Sequence, residues 1–546
     1  MSTSPIVPPG GQFPIPNELN SPLLALRCSP AIRPYLLEDA ASGDPSFVSI
    51  LIDAPVTFYE ISKAAPIQLQ SELNTLDVAV SVEGITLVQG TVTLNSTKTS
   101  LPFSLNSLQP RTSPYNISCS AKYAGQTFEA MGSLSYLPNP PSDIGSVTKM
   151  DLRTGALLAR PANGKGGSYA PIFPIGFYTQ FDGYLAQNLS ILAELAAQGF
   201  TIVHPVPTFS NLTALDLVLD EMQEAGLYLM YDMRGTYQNN TSVTEQVNRI
   251  KSRPNLLLWY TADEPDGTSD PLNATSISSD LITSLDGGDG KGGAGYHPVS
   301  LVLNCENYFF TEYASGSDIV MQDTYMIGNN VTYSTVWHTV CTENYGDCGC
   351  DNCKGSFEDI STRMDEFRER LFVNGWERSK AVWTVPQAFG NDTSRFPTGK
   401  EFIVESILGI NHGGLGLYLP DPLRIIVSCP NLGVVSWDDP TTSDIKASAS
   451  LLAASLSKMT PYIASPNASF HQVTLGRVDV GLWSIDNETL VLATNMNYNI
   501  TTLLFEDLGL EPSKIVQLLD SGSFIKPDRS ALVFESVGSG AFIVTM

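Results

Sequence analysis

The chain has 546 residues, 42% of them hydrophobic and 9% aromatic. That composition excludes general disorder, and the length exceeds one compact core, so several domains are expected. The 30 basic and 56 acidic residues leave a net charge of −26, which argues against nucleic acid or an anionic membrane surface as partner.

Residues 1–23 are an extended, Pro-rich start without the charged and apolar regions of a signal peptide. Either the chain is cytosolic or its export signal is gone. Two features favour export. Twelve Asn-x-Ser/Thr sequons occur, at Asn95, Asn116, Asn188, Asn211, Asn239, Asn240, Asn273, Asn330, Asn391, Asn467, Asn487 and Asn499, so N-linked glycans are expected. The eight cysteines are even in number, and Cys341, Cys348, Cys350 and Cys353 cluster without two CxxC knuckles, which reads as disulfides more readily than zinc. With no run of 18 apolar residues, a secreted, extracellular protein without a membrane span is expected.

Residues 24–145 carry short strand-like runs at 47–52, 76–82, 91–94 and 133–137, spaced as in an immunoglobulin-like β-sandwich. Cys28 and Cys119 are the only cysteines there and are expected to pair. Pro138-Asn139-Pro140-Pro141-Ser142 closes this module. From 146 to 462 strand, loop and helix alternate. Eight strand-like runs, at 175–178, 201–205, 227–231, 256–260, 299–304, 319–322, 381–385 and 414–418, match a (β/α)8 TIM barrel. An open doubly wound sheet would want a Gly-rich turn after its first strand, and none is there. Leu212, Leu215, Leu219 and Met222 stripe one expected helix; Ile360, Met364, Phe367, Leu371 and Phe372 stripe another; a last helix is expected at 450–459. Residues 463–546 return to strand character and read as a small C-terminal β-sandwich.

The chemistry of a barrel lies at the carboxyl ends of its strands. Here those ends offer Tyr178, Gln180 and Asp182; His204; Tyr231, Asp232 and Arg234; Asp263 and Glu264; Asn304, Glu306 and Asn307; Gln322, Asp323 and Tyr325; Trp383 and Gln387; and Tyr418 and Asp421. The histidines, at 204, 297, 338, 412 and 471, show no ligand spacing, so neither a metal nor a cofactor is expected. Carboxylates among amides and flat aromatic faces suit glycosidic cleavage. One carboxyl must stay protonated for the leaving oxygen, and a second must be ionised to attack the sugar or to activate water.

Trp259-Tyr260-Thr261-Ala262-Asp263-Glu264-Pro265, ending the fourth strand, resembles the Asn-Glu-Pro signature of (β/α)8 glycoside hydrolases of the large retaining clan. Residues 171–178 and 409–418 are similar to the first and eighth strands of such barrels. The resemblance implies that Glu264 is the general acid/base. It also implies a glutamate nucleophile ending strand seven, where this chain has Val385-Pro386-Gln387-Ala388-Phe389 and no carboxylate. Asp323 is the first choice for the second role and Glu306 the next, with Asp263 assisting Glu264. Were Asp323 to activate water, the wider carboxyl spacing of an inverting mechanism would apply.

The substrate is expected to be a polysaccharide or oligosaccharide. Tyr178, Gln180, His204, Tyr231, Arg234, Asn304, Tyr325, Trp337, Trp383, Gln387 and Tyr418 are the candidate binding residues. Arg234 could grip an acidic sugar or pair with Asp232. A long loop, 326–356, adds aromatics and cysteines on the active face. The rival reading is a non-catalytic carbohydrate-binding or cell-wall glycoprotein on a degenerate barrel.

Overall fold

The structure is a computed structural model that describes the chain apart from residues 1–10, 45, 305–307, 335–337, 343–349, 351–352, 391–393, 414–432 and 439–440. Eight parallel strands close on themselves in chain order: Ile175–Gln180 (β1), Ile202–Val206 (β2), Tyr228–Asp232 (β3), Leu256–Asp263 (β4), Val299–Leu303 (β5), Ile319–Gln322 (β6), Ala381–Thr384 (β7) and Val434–Asp438 (β8). The helices Ser190–Ala197 (α1), Leu212–Ala225 (α2), Asn240–Ile250 (α3), Ala274–Leu285 (α4), Phe310–Ala314 (α5), Glu358–Asn374 (α6) and Gly399–Gly413 (α7) alternate with them, and Ser443–Ile463 (α8) follows β8. The chain is a TIM barrel with flanking β domains.

The two-residue period of a strand sorts its side chains. Tyr228, Met230, Leu258, Tyr260, Met321 and Trp383 fill one buried cluster, while their neighbours Leu229, Tyr231, Trp259, Val320 and Val382 pack with the helices. On α2 the Asn211 side chain caps the N–H groups of Thr213 and Ala214, and the left-handed Gly226 (φ 78°) ends the helix. Leu215, Val218, Leu219 and Met222 form its buried stripe; Leu212, counted on that stripe from sequence, is exposed in the first turn. The α6 stripe is buried as expected.

Strand eight departs from the sequence reading. The expected run 414–418 lies outside the described residues, and Val434–Asp438 takes the eighth place, pairing with β7 and β1. Two short apolar runs follow α7, and periodicity cannot choose between them. The second has paired valines and no internal glycine, which suits a strand better than Gly-Leu-Gly-Leu-Tyr. The final helix is also longer than the expected 450–459. Thr442 caps its start, and Pro461 sits within its last turn.

In the N-terminal module a four-stranded antiparallel sheet (Gln126–Leu134, Tyr115–Tyr123, Thr75–Val82, Ile85–Thr93) and a three-stranded one (Thr99–Pro102, Ser49–Asp53, Arg27–Pro30) share a buried cluster. The Cys28–Cys119 disulfide joins a strand of one sheet to a strand of the other. Thr148–Asp151, Leu157–Ala159 and Ala170–Ile172 form a small sheet with Ile32–Arg33 before the barrel begins. The C-terminal layers are one continuous six-stranded sheet, wrapped through Ala531–Thr545: residues 531–534 pair with Thr501–Leu504 and residues 539–545 with Glu488–Asn495. Asn391 lies outside the described residues; the other eleven sequon asparagines are all exposed. Among the described residues no helix is long and apolar enough to cross a membrane.

Buried charge fastens the modules to the barrel. Arg378 donates to both Asp53 oxygens (2.9 and 2.8 Å), joining the turn before β7 to the sandwich. At the other junction His412 of α7 lies between Asp365 (3.0 Å) and Asp479 (2.8 Å), the latter on a C-terminal strand. Burial alone would lower the His412 pKa, but the two carboxylates raise it to about 10. A raised histidine stabilises fully below its unfolded value of about 6.5, and that contribution is lost as pH climbs through about 10. His412→Gln is therefore expected to lower stability by about 3 kcal/mol at pH 6, because it strands the buried Asp479. Chemical denaturation of both proteins should show this gap narrowing steadily toward pH 10.

Candidate active site

The mouth of the barrel is built around the end of β4. Between Tyr260 and Asp263 that strand carries one extra residue relative to β5, a β-bulge. Beyond it Glu264 adopts a left-handed backbone, φ 51°, which costs a non-glycine residue roughly 1–2 kcal/mol. Its N–H donates to Val302 of β5 (3.1 Å), and its carbonyl accepts from Gly267 (3.0 Å) and Thr268 (3.1 Å). Bulge and turn together set two consecutive carboxylates at one strand tip. Strained backbone fixed this firmly concentrates at working sites.

From β2 and β3 comes a buried ionic chain. His204 Nε2 lies 2.6 Å from Asp232 Oδ2, and the same carboxylate accepts from the Arg234 backbone N–H and Nε, both at 2.7 Å. Arg234 Nη1 then donates to Asp263 Oδ2 at 2.6 Å, while the Tyr260 hydroxyl donates to Asp263 Oδ1. The guanidinium also stands over the Tyr178 and Tyr260 rings, 5.4 and 5.3 Å from their centroids. Burial lowers the His204 pKa, leaving a neutral imidazole wedged against the same two tyrosines. Burial would raise Asp232, yet Arg234 and His204 hold it below the ordinary carboxylate value.

The remaining carboxyls lack such support. Asp323, just past β6, is 3% exposed, and no N–H or hydroxyl donor among the described residues reaches its Oδ1. Its neighbour is the Glu264 carboxyl, within hydrogen-bonding reach. Burial pushes the Asp323 pKa well above its ordinary value, and the charge and hydrogen bond of Glu264 push it further. A second carboxyl alongside favours the protonated form of such a buried acid. Burial likewise lifts Asp263 to about 6, against the pull of Arg234 and with Glu264 adding to the rise; its side chain stays 30% exposed, so solvent screens part of this.

Several expected binding residues sit elsewhere. Tyr231 follows the opposite phase to Asp232, so it faces the helices and bonds Gln246 of α3 (3.1 Å). Trp383 is wholly buried and packs in the core. Gln387 is a strut: its Oε1 accepts from Ile327 N (3.0 Å), and its Nε2 donates to the carbonyls of Ile327 (3.0 Å) and Phe389 (3.2 Å). Arg234 pairs with Asp232, as one of its two expected roles has it, and with Asp263 as well. Tyr178 and His204 form the floor. Tyr325 is half-buried beside Asp323 and Glu264, which raise its pKa after burial does. Asn304 ends β5 with its N–H on Asp266 Oδ1 (2.9 Å), and Gln180 is exposed. Glu306, Trp337 and Tyr418 lie outside the described residues, as do Asn307 and Asp421.

Sequence reasoning passed over Tyr260 and Asp266. Tyr260 looked like strand core, and only the bulge brings it to Asp263. Asp266 had a legible signal, the fourth position of Asp-Glu-Pro-Asp. Among the described residues one trio, Cys350, Cys353 and Asp359, has metal-like spacing. The cysteines are bonded to each other, and Asp359 accepts from the N–H groups of Lys354, Gly355 and Ser356, so nothing is left to hold an ion.

No protein-family model matches the chain, and no curated protein does. Solved structures of similar fold include an alpha-amylase of Anoxybacillus, 11% identical over 66% of this chain and 89% of that one, TM-score 0.39. A GH30 endoxylanase of Clostridium papyrosolvens is 10% identical over 69% and 97%, TM-score 0.40. An alpha-amylase of Geobacillus thermoleovorans, complexed with acarbose, is 10% identical over 68% and 98%, TM-score 0.40. These neighbours are glycoside hydrolases built on the barrel. What this chain acts on has to come from its own side chains.

Asp263 supplies a pH signature. Its folded pKa exceeds the unfolded value of about 3.9, so its protonation stabilises the native state at low pH, and that contribution fades as pH rises from about 4 through about 6. Asp263→Asn should flatten that part of the stability–pH curve, measured by urea unfolding; a curve unchanged in shape would place Asp263 outside the charged network.

Proposed function

We propose that the chain hydrolyses O-glycosidic bonds in a polysaccharide or glycan, with Glu264 and Asp323 as the working carboxyls. The observation that carries this reading is the placement of Glu264, left-handed just past β4, and the buried Asp323, just past β6, as neighbouring carboxyls, with burial and Glu264 both raising the Asp323 pKa. A glycosidic bond needs one proton for the departing oxygen and one carboxylate for the anomeric carbon, and this pair holds one of each.

A sugar entering the mouth separates the pair. Asp323 gives its proton to the glycosidic oxygen as the C–O bond breaks, and the Glu264 carboxylate attacks the anomeric carbon. Ionised Asp323 then takes a proton from water, whose oxygen displaces Glu264 from the sugar and restores the starting pair. This two-step, retaining route runs with the carboxyls roughly 5–5.5 Å apart, a spacing reached once the sugar has parted the pair. Asp263, fixed by Arg234 and Tyr260, keeps the strand tip in place and adds negative charge where a positive one develops on the sugar. Eleven exposed sequon asparagines and the Cys28–Cys119 and Cys350–Cys353 disulfides support export and N-glycosylation.

Leaving-group chemistry separates the two roles. Asp323→Asn should slow release of reducing ends from polysaccharide by about 10²–10⁴-fold while sparing dinitrophenyl glycosides, whose leaving group needs no proton. Glu264→Gln should abolish both. The opposite pattern would exchange the roles. A wild type that binds oligosaccharides yet releases no reducing ends would make the chain a carbohydrate-binding protein.

A further inference from the structure

A concavity lies at the amino-terminal end of the barrel strands, under the N-terminal sandwich. It has a volume of about 510 Å³, ample for a small ligand. Its walls come from the Arg27–Pro30 strand of the sandwich and from the segments that lead into β6 and β7. Their charge is opposite to that of the chain. Five of its 30 basic residues, Arg27, Arg33, Lys63, Arg378 and Lys380, line this one space, beside three acids, Asp280, Asp318 and Glu377.

Two of the cations are neutralised. Arg33 bonds Asp318 at 2.6 Å, and Arg378 bonds Asp53. Of the others, Arg27 has the more distant Glu377, and no described carboxylate bonds Lys63 or Lys380. Arg27 is 7% exposed; its Nη atoms donate to the carbonyls of Leu26, Ser62 and Lys63, while its Nε makes no hydrogen bond. Glu377, 1% exposed, stands 3.4 Å from that Nε, yet neither of its oxygens is hydrogen-bonded. Burial raises the Glu377 pKa, against the pull of Arg27 and Arg378. Lys380 Nζ donates to the Ser317 and Ser315 carbonyls and lies 4.9 Å from the Trp376 ring centre, with no carboxylate bonded to it. Lys63 is exposed.

Five cations line one cavity while bonded carboxylates neutralise two of them, so an anion in that space would offset the remaining positive charge. We propose that this cavity binds a small polyanion, a phosphate or a polycarboxylate, held by Arg27, Lys63 and Lys380. In a protein of charge −26, loose anion binding elsewhere on the surface is disfavoured, so an anion that binds is held by this pocket. The site is independent of the carboxyl pair and of any glycosidase activity.

Isothermal titration of the full chain with inorganic phosphate, and separately with citrate, tests the site. Saturable binding at one site per chain is expected for at least one of them, and the stronger arm tells tetrahedral oxyanion from carboxylate chemistry. Lys63→Glu, a change on an exposed side chain, should weaken it at least about fivefold by reversing one nearby charge. Lys514→Glu in the C-terminal sheet should not. No saturable heat with either anion, or equal losses in the two variants, overturns the proposal.

Discussion

One buried guanidinium governs the mouth of the barrel. Arg234 cannot leave water without partners, and it takes two: Asp232 behind it and Asp263 across from it. That arrangement locks the end of β3 to the end of β4. Among the described residues no ion pair reaches Asp323 or Glu264, and burial with the neighbouring Glu264 raises the Asp323 pKa. The ion pair serves the framework, and the two carboxyls past β4 and β6 are left to each other.

The fold was more legible than the site. Apolar runs at the expected spacing marked seven of the eight strands, because a strand covered on both faces must be apolar throughout. The eighth was missed where two short runs competed. At the site, the candidate carboxylates Asp263, Glu264 and Asp323 were visible from their position after buried strands. The aromatics were harder. Tyr231 and Trp383 both sit near strand ends, but one points to the helices and the other packs in the core, and neither depth nor the phase set by a neighbour is obvious in a linear string. Gln387 looked like a sugar-binding amide and proves to be a brace between two loops. The bulge in β4 breaks the two-residue count, so the partnership of Tyr260 with Asp263 could not be read by alternation.

The flanking modules explain why so much charge is buried far from the mouth. Arg378 with Asp53 and His412 with Asp365 and Asp479 are directional contacts, and they fix orientation where apolar surfaces alone would allow sliding. The sandwich grips segments that lead into the strands, and the C-terminal sheet grips the helical jacket at α7. These anchor points leave the carboxyl ends of the strands to the βα loops, where a barrel keeps its chemistry.

The left-handed turn at Glu264 has an evolutionary corollary. Its backbone conformation suits glycine or asparagine better than glutamate, so the residue stands against a standing thermodynamic pull. A lineage that no longer needed the carboxylate would gain stability by giving it up, and the loss would leave the rest of the barrel undisturbed.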